Sequence, residues 1–327
     1  MLIDNHKRKI NYLRLAVTDR CNLRCNYCMP SEGIQFASKD TLFTTEELYR
    51  LVRIMVGQGI DKIRITGGEP FVRKDLMELL RKMAALQGLE DISITTNATL
   101  IGPYITELKS LGITNINVSL DAIDKDTFER ITRRKQYDTV YNNLMRLITE
   151  GFNVRINFIA LEGQNTQDIV PILERMREYD VSVRFLEEMP FNGGSKTFDS
   201  IQWDYKRIFA HITSHFGGVE KLESPRTSTS INYKIRGHKS TFGIIPSFSR
   251  TFCGTCNRLR ISATGDVITC LYGKPSMNLR EVMRGENAEA NITEQILRAV
   301  GSRARTGFEA QMANDTVFDS SMTSIGG

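Results

Sequence analysis

Six short apolar segments recur along the chain, at residues 13–18, 62–66, 92–96, 115–120, 154–160 and 181–186. Five stretches with helical periodicity lie between them, at residues 44–57, 74–87, 101–111, 139–150 and 168–179. The first opens on Thr44 with Glu47 three residues on, the pattern of a capping box. Strands that alternate with helices pair in parallel, because each helix carries the chain back to start the next strand in the same direction. Six units fall short of the eight strands of a full barrel. The expected fold class is therefore α/β, a partial (β/α)6 barrel, with a flat doubly wound sheet as the alternative. In both architectures ligands gather at the carboxyl ends of the strands. The residues at those ends are Cys21, Cys25 and Cys28 after the first strand and Gly67-Gly68-Glu69-Pro70 after the second. Asn97 follows the third, Ser119 and Asp121 close the fourth, and Glu187, Glu188 and Met189 follow the sixth.

After about residue 192 the alternation gives way to Gly193-Gly194 and the polar stretch 225–230, which read as loops. A boundary is expected near residue 218, dividing a core of residues 1–217 from a C-terminal region of residues 218–327. The composition, 41% hydrophobic and 25% charged over 327 residues, suffices for a real core. A net charge of +5 without a run of Lys and Arg gives no sign of a nucleic-acid arm, and suits a site for a small anion as well as it suits ordinary solvated charge. The polar start MLIDNHKRKI has no secretory character, and no apolar run approaches the ~18 residues of a membrane span. The expected location is cytoplasmic, with no membrane and no nucleic acid as partner.

The six cysteines form two groups of three, Cys21-x3-Cys25-x2-Cys28 and Cys253-x2-Cys256-x13-Cys270. In a reducing compartment such groups read as metal sites rather than disulfides. Three thiolates leave a four-iron cluster one ligand short. An open metal position is the mark of a catalytic site rather than a structural one. The other reading is structural zinc with a fourth ligand from elsewhere. The histidines are His6, His211, His215 and His238. His211 and His215 would share a helix face, as zinc ligands can, but lack the Glu of a metalloprotease motif.

The first triad, followed one βα unit later by Gly67-Gly68-Glu69-Pro70, resembles the radical S-adenosylmethionine superfamily. That resemblance implies a 4Fe-4S cluster on Cys21, Cys25 and Cys28 whose open iron binds S-adenosylmethionine, the source of a 5′-deoxyadenosyl radical. It implies Tyr27 as the aromatic beside the adenine, and Gly68, Ser119 and Met189 as further cofactor contacts. The segments RLAVTDRC, IRITGGEP, VSLDA and FCGTCNRLRISATGDVITC, with the final Ser324-Ile325-Gly326-Gly327, resemble the GTP 3′,8-cyclases of molybdenum cofactor biosynthesis over essentially the whole chain. This narrower resemblance implies a second 4Fe-4S cluster on Cys253, Cys256 and Cys270 that holds the guanine of GTP. It implies GTP contacts from Arg14, Arg64, Arg258 and Arg260, from Thr95, and from Arg155 where the family commonly has Lys. The planar fork of Arg suits phosphate oxygens, and with no P-loop in the sequence side chains must hold the triphosphate. Gly326 and Gly327 would enter the active site and assist radical initiation, and the C-terminal region would cover the barrel opening. The implied partners are cyclic pyranopterin monophosphate synthase downstream and a flavodoxin- or ferredoxin-like electron donor, and a homodimer is compatible. Two alternatives stay open: a radical enzyme acting on another substrate, and a zinc-binding scaffold.

Overall fold

A computed structural model describes residues 1–30, 32–189 and 201–313 together with Thr323. Six strands, β1 (Tyr12–Ala16), β2 (Lys62–Thr66), β3 (Asp91–Thr96), β4 (Asn115–Ser119), β5 (Asn153–Ala160) and β6 (Ser182–Glu187), pair in parallel in chain order. The partial-barrel expectation agrees with this order. The C-terminal region then extends the same sheet at both edges. On one side β7 (Val219–Lys221), β8 (Ile231–Ile235) and β9 (Thr241–Ile245) add on, with β9 parallel to β6. On the other, β10 (Arg258–Ile261) lies parallel to β1 and is followed by β11 (Asp266–Ile268) and β12 (Met277–Asn278).

The strands alternate in character, and the sheet thereby acquires two unlike faces. Leu13, Leu15, Ile63, Ile65, Ile94, Ile116, Val118, Val154, Ile156, Val183 and Phe185 point to one face and are almost wholly buried. Complete burial of each such side chain contributes about 1.5–3 kcal/mol. Helices α1 (Thr45–Gly57), α2 (Leu76–Ala84), α3 (Ile105–Ser110), α4 (Lys125–Thr132), α5 (Tyr137–Thr149) and α6 (Ile169–Arg175) follow the strands and supply buried apolar side chains to the same core. Parallel strands covered on both faces read as continuous apolar runs. Here Arg14, Arg64, Ser93, Asn117, Arg155 and Arg184 occupy the alternate positions, so the second face is polar.

The capping box at α1 is present: Glu47 N donates to Thr44 Oγ1 at 3.2 Å and Thr44 N to Glu47 Oε2 at 2.8 Å. Helix α4 lies outside the stretches read as helical. Its buried face holds only Phe128 and Ile131 as large apolar residues, too few to set up a visible period. Its start is marked instead by Asp124, whose carboxylate accepts from Thr127 N at 2.8 Å. Helix α2 is shorter than the expected 74–87 because Asp75 is engaged by Arg73 and Thr45 just ahead of its first turn. Of the histidine pair, His211 on α7 (Tyr205–His215) packs edge-on against Trp203 and His215 against Phe216. No helix among the described residues is long and apolar enough to cross a membrane.

Candidate active site

The loop that leaves β1 carries Cys21, Cys25 and Cys28, all half-buried and none in a disulfide. Leu23 and Met29 sink into the core and anchor the loop. Arg24 N and Asn26 N donate to the carbonyls of Thr132 and Ile131 at the end of α4. The glycine pair after β2 is backed directly onto the backbone just before Cys21. Gly68 N donates to Thr18 O at 2.9 Å and Glu69 N to Arg20 O at 2.8 Å. A Cβ on Gly67 would sit 2.3 Å from Thr18 O, and one on Gly68 2.3 Å from Arg20 O. Gly67 also has φ +151, where side chains are strained. Backbone against backbone leaves no room to yield. Gly67→Ala is therefore expected to cost about 2–4 kcal/mol of stability by combined clash and strain, and to loosen the triad. Chemical denaturation and iron retention after reconstitution check both.

Glu69 is fully buried below this turn and ties three strands together. It accepts from Phe71 N at 3.2 Å, Thr96 Oγ1 at 2.7 Å and Asn97 N at 2.7 Å. Asn97 in turn directs its Nδ2 at Cys21 Sγ, 3.7 Å away. Burial pushes the Glu69 carboxyl up to about 7, against the three hydrogen bonds that favour the anion. The folded value lies above the ordinary 4.5, so the contribution to stability is complete below pH 4.5 and is lost as pH rises through about 7. Between those limits Glu69→Gln should gain about 3 kcal/mol relative to the unmodified protein. Urea unfolding of both proteins across that pH window measures the difference; a constant difference would contradict it.

Tyr27 lies between Cys25 and Cys28 and is held by Asp121, two residues beyond β4. Its hydroxyl donates to Asp121 Oδ2 at 2.6 Å, while Ile159 N donates to Asp121 Oδ1 at 2.9 Å. Burial raises the Asp121 carboxyl to about 6. Burial also raises the Cys25 thiol, and the nearby Asp121, Cys28 and Cys21 add to it. Cys21 is pushed up to about 12 by burial, with Glu69 and Cys28 acting in the same direction. Ser119 closes β4. Met189, two residues beyond β6, receives the Tyr272 hydroxyl at 3.8 Å.

The arginines of the polar face are neighbours. Arg260 pairs in register with Arg14, and Arg14 with Arg64, on strands about 4.8 Å apart. Like charges directly opposite one another destabilise a sheet. Burial holds Arg14 well below the ordinary guanidinium range, and Arg260, Arg64 and Arg258 push it further. Arg260 is lowered to about 10 by burial and by Arg258. Arg155 is lowered by burial and by Arg64. Arg184 falls to about 9 through burial, Arg155 and Arg64. Among the described residues no carboxylate pairs with Arg14, Arg64, Arg184 or Arg258. Arg14 Nε, Arg184 Nε, Thr95 Oγ1 and Asn117 Oδ1 are buried without hydrogen-bond partners. A cavity of about 230 Å³ opens where Asn153, Arg155, Ser182, Arg184 and Asn232 meet. Such a cluster of like charges repels itself, and a bound anion would relieve that repulsion.

All six residues expected to contact GTP thus share this face. Arg184 was not among them, although it stands in the same apolar-Arg-apolar tripeptide as four of them: LRL at 13–15, IRI at 63–65, VRI at 154–156 and LRI at 259–261, against VRF at 183–185. Tyr12 was also not foreseen. Arg64 lies 5.5 Å over its ring, and although burial raises the phenol, Arg64, Arg14, Lys62 and Arg258 outweigh that and lower it.

The second triad sits at the start of β10. Cys253 and Cys256 flank a short turn, and Cys270 follows β11. Asn257 O accepts from Tyr12 N at 3.2 Å, which fixes the turn beside the start of β1. Tyr272 reaches from Cys270 to Met189 and Ser247, at the far ends of β6 and β9. Arg250 stacks on Tyr272 at 3.6 Å. Burial raises Cys256, but Arg258 and Arg303 more than offset this and bring it to about 7. The two triads therefore have opposite surroundings, acidic at the first and basic at the second. Among the described residues no three His, Cys, Asp or Glu side chains close around a single metal ion. A four-iron cluster spreads its thiolates over separate corners and makes a different demand. In donor type the residues fit it: three thiols per site, none in a disulfide, coupled electrostatically to one another. Gly326 and Gly327 lie outside the described residues.

Comparison with known proteins agrees with this arrangement. Residues 15–176 match the Radical SAM superfamily, and residues 181–308 match the family described as Molybdenum Cofactor Synthesis C. The chain is 35% identical over 328 residues to the mitochondrial GTP 3′,8-cyclase of Arabidopsis thaliana, covering 100% of this chain and 84% of that protein. It is 38% identical over 282 residues to the GTP 3′,8-cyclase of Listeria welshimeri, covering 86% and 85%. It is 40% identical over 301 residues to molybdenum cofactor biosynthesis protein 1 of Drosophila melanogaster, covering 92% of this chain but 53% of that one. The chain thus spans about half the length of several curated relatives it matches. Streptococcus suis SuiB, in a crystal structure bound to S-adenosylmethionine, shares the fold at a TM-score of 0.63 and 16% identity, covering 90% of this chain and 68% of that one. On these matches the chain belongs to the radical SAM superfamily and, within it, to the family of the GTP 3′,8-cyclases and molybdenum cofactor biosynthesis proteins.

Proposed function

We propose that this chain converts GTP to 3′,8-cyclo-7,8-dihydro-GTP, the first step of molybdenum cofactor biosynthesis, using S-adenosylmethionine and two 4Fe-4S clusters. The observation that carries the reading is the row of neighbouring buried arginines on the polar face, in register across β10, β1 and β2. When bound, the first cluster and S-adenosylmethionine would supply a 5′-deoxyadenosyl radical to take the 3′ hydrogen of the ribose, and joining C3′ to C8 of guanine would then need one electron and one proton to give the dihydro product. Cys21, Cys25 and Cys28 would hold the first cluster. Asp121 keeps Tyr27 in one orientation beside the adenine, while Gly68, Ser119 and Met189 complete the cofactor contacts. Arg14, Arg64, Arg155, Arg184, Arg258 and Arg260, with Thr95, bind the anionic end of GTP and keep it oriented through the reaction. Cys253, Cys256 and Cys270 would hold the second cluster at the guanine. Gly326 and Gly327 are assigned to radical initiation by family resemblance. Cyclic pyranopterin monophosphate synthase would take the product, and a flavodoxin- or ferredoxin-like protein would supply electrons.

The test is anaerobic reconstitution with iron and sulfide, then GTP, S-adenosylmethionine and dithionite. Release of 5′-deoxyadenosine with the cyclised nucleotide supports the reading; no 5′-deoxyadenosine above the control without GTP overturns it. A colourless preparation with two zinc ions and no acid-labile sulfide would establish the scaffold alternative.

A further inference from the structure

The N-terminal ribbon, Leu2–Ile3 paired with Lys9–Ile10, buries two charged residues in the turn between its strands. Asp4 and Arg8 have side-chain exposures of 0% and 9% and form an ion pair at 2.6 Å. Arg8 uses its remaining donors on three carbonyls: Cys253 O at 3.0 Å, Arg305 O at 2.8 Å and Ala304 O at 2.9 Å. The ribbon is therefore clamped at once to the second cysteine triad and to the turn after α9 (Ala288–Gly301). On that turn Arg303 is equally buried, with 3% of its side chain exposed. It lies 3.7 Å from Asp4 Oδ2 and donates through Nη2 to Cys256 Sγ at 3.4 Å. Gly307 N donates to Cys253 Sγ at 3.4 Å. His6 Nε2 meets Arg303 O at 3.0 Å and holds the turn from the other side.

Two buried guanidinium groups share one carboxylate, which leaves an excess positive charge against the sulfur ligands. Burying that charge is costly unless an anion compensates it. Three thiolates on a 4Fe-4S centre provide a net negative charge that grows by one when the centre is reduced. A cation and N–H donors at the sulfurs stabilise the reduced form, and such hydrogen bonds are among the determinants of cluster potential. At the first triad the carboxylates Glu69 and Asp121 and the guanidinium of Arg24 act on the thiols together, with Asn97 Nδ2 3.7 Å from Cys21 Sγ.

We infer that Arg303, held by Asp4 of the N-terminal ribbon, is a positioning residue that raises the reduction potential of a second 4Fe-4S cluster. This rests on the two-cluster reading above. The experiment uses the full chain with Cys21, Cys25 and Cys28 replaced by Ala, so that the second site alone reports, in an EPR-monitored redox titration. Arg303→Gln should lower the midpoint potential, and Arg303→Lys, which keeps the charge, should hold it near the starting value. An Arg303→Gln protein with a full cluster and an unchanged midpoint overturns the inference. If Arg303→Gln assembles no cluster, Arg303→Lys decides. A cluster at the starting midpoint supports a role for the charge, whereas loss of the cluster in both variants shows a scaffold only and overturns it. Failure of the starting protein to take up iron at this triad overturns the two-cluster reading, and is distinguishable because it precedes any change at Arg303.

Discussion

Replacing Arg14 by Met is expected to raise the melting temperature of the ligand-free protein and, in the same protein, to remove most of its stabilisation by GTP. Arg14 lies in register between Arg260 and Arg64 with no carboxylate partner, so its charge is a burden to the empty fold. Exchanging buried charge for an apolar side chain of similar volume commonly stabilises by about 1–4 kcal/mol. For a chain of this size that corresponds to a shift of several degrees, at roughly 2–4 °C per kcal/mol. The same exchange removes a charge-assisted contact to phosphate, which weakens binding by about a hundredfold or more. Thermal unfolding with and without GTP measures both quantities in one experiment. A lowered melting temperature without ligand would show that Arg14 is satisfied in the fold and that the face is not a prepared anion site. Arg155→Lys retains the charge and should change affinity only a few-fold.

Cys253→Ala is expected to abolish GTP turnover and to halve the iron content, from about eight atoms to about four per chain. The two triads occupy different loops, one after β1 and one before β10, each with its own anchors. The first centre should survive intact, with its spectroscopic response to S-adenosylmethionine. Iron and sulfide analysis with EPR before and after adding S-adenosylmethionine checks this. Unchanged iron content would show that Cys253 holds no cluster, and loss of both centres would show that the triads depend on one another.

Much of the fold was legible because parallel strands and amphipathic helices leave periodic traces. The six strands of the core fall where apolar runs predicted them, in the predicted order. Helix α4 left too short an apolar trace to be read. Strands β9 and β10 escaped for a different reason. Each is only four or five residues long, and each owes its place to a partner far away in sequence: β9 to β6, and β10 to β1. Sequence pattern carries no information about such pairings.

The same division holds at the site. Cys21, Cys25, Cys28, Cys253, Cys256 and Cys270 were recognisable as two ligand sets because spacing alone constrains what thiolates can hold. Gly67 and Gly68 were recognisable as part of a family motif, but their packing against the carbonyls of Thr18 and Arg20 is a tertiary fact. The arginines were individually visible, and all but Arg258 share one tripeptide pattern. That they form a single row, joined by Arg184, depends on strand register, because register brings distant residues side by side. The hold of Asp4 on Arg303, and of Arg303 on Cys256, had no trace in the sequence, since the three residues come from three remote segments and meet only in the folded chain. Local chemistry and periodicity were thus set by the order of residues. The electrostatic character of each cysteine triad, acidic at one and basic at the other, was decided by packing, because Coulomb interactions depend on distance in space rather than along the chain.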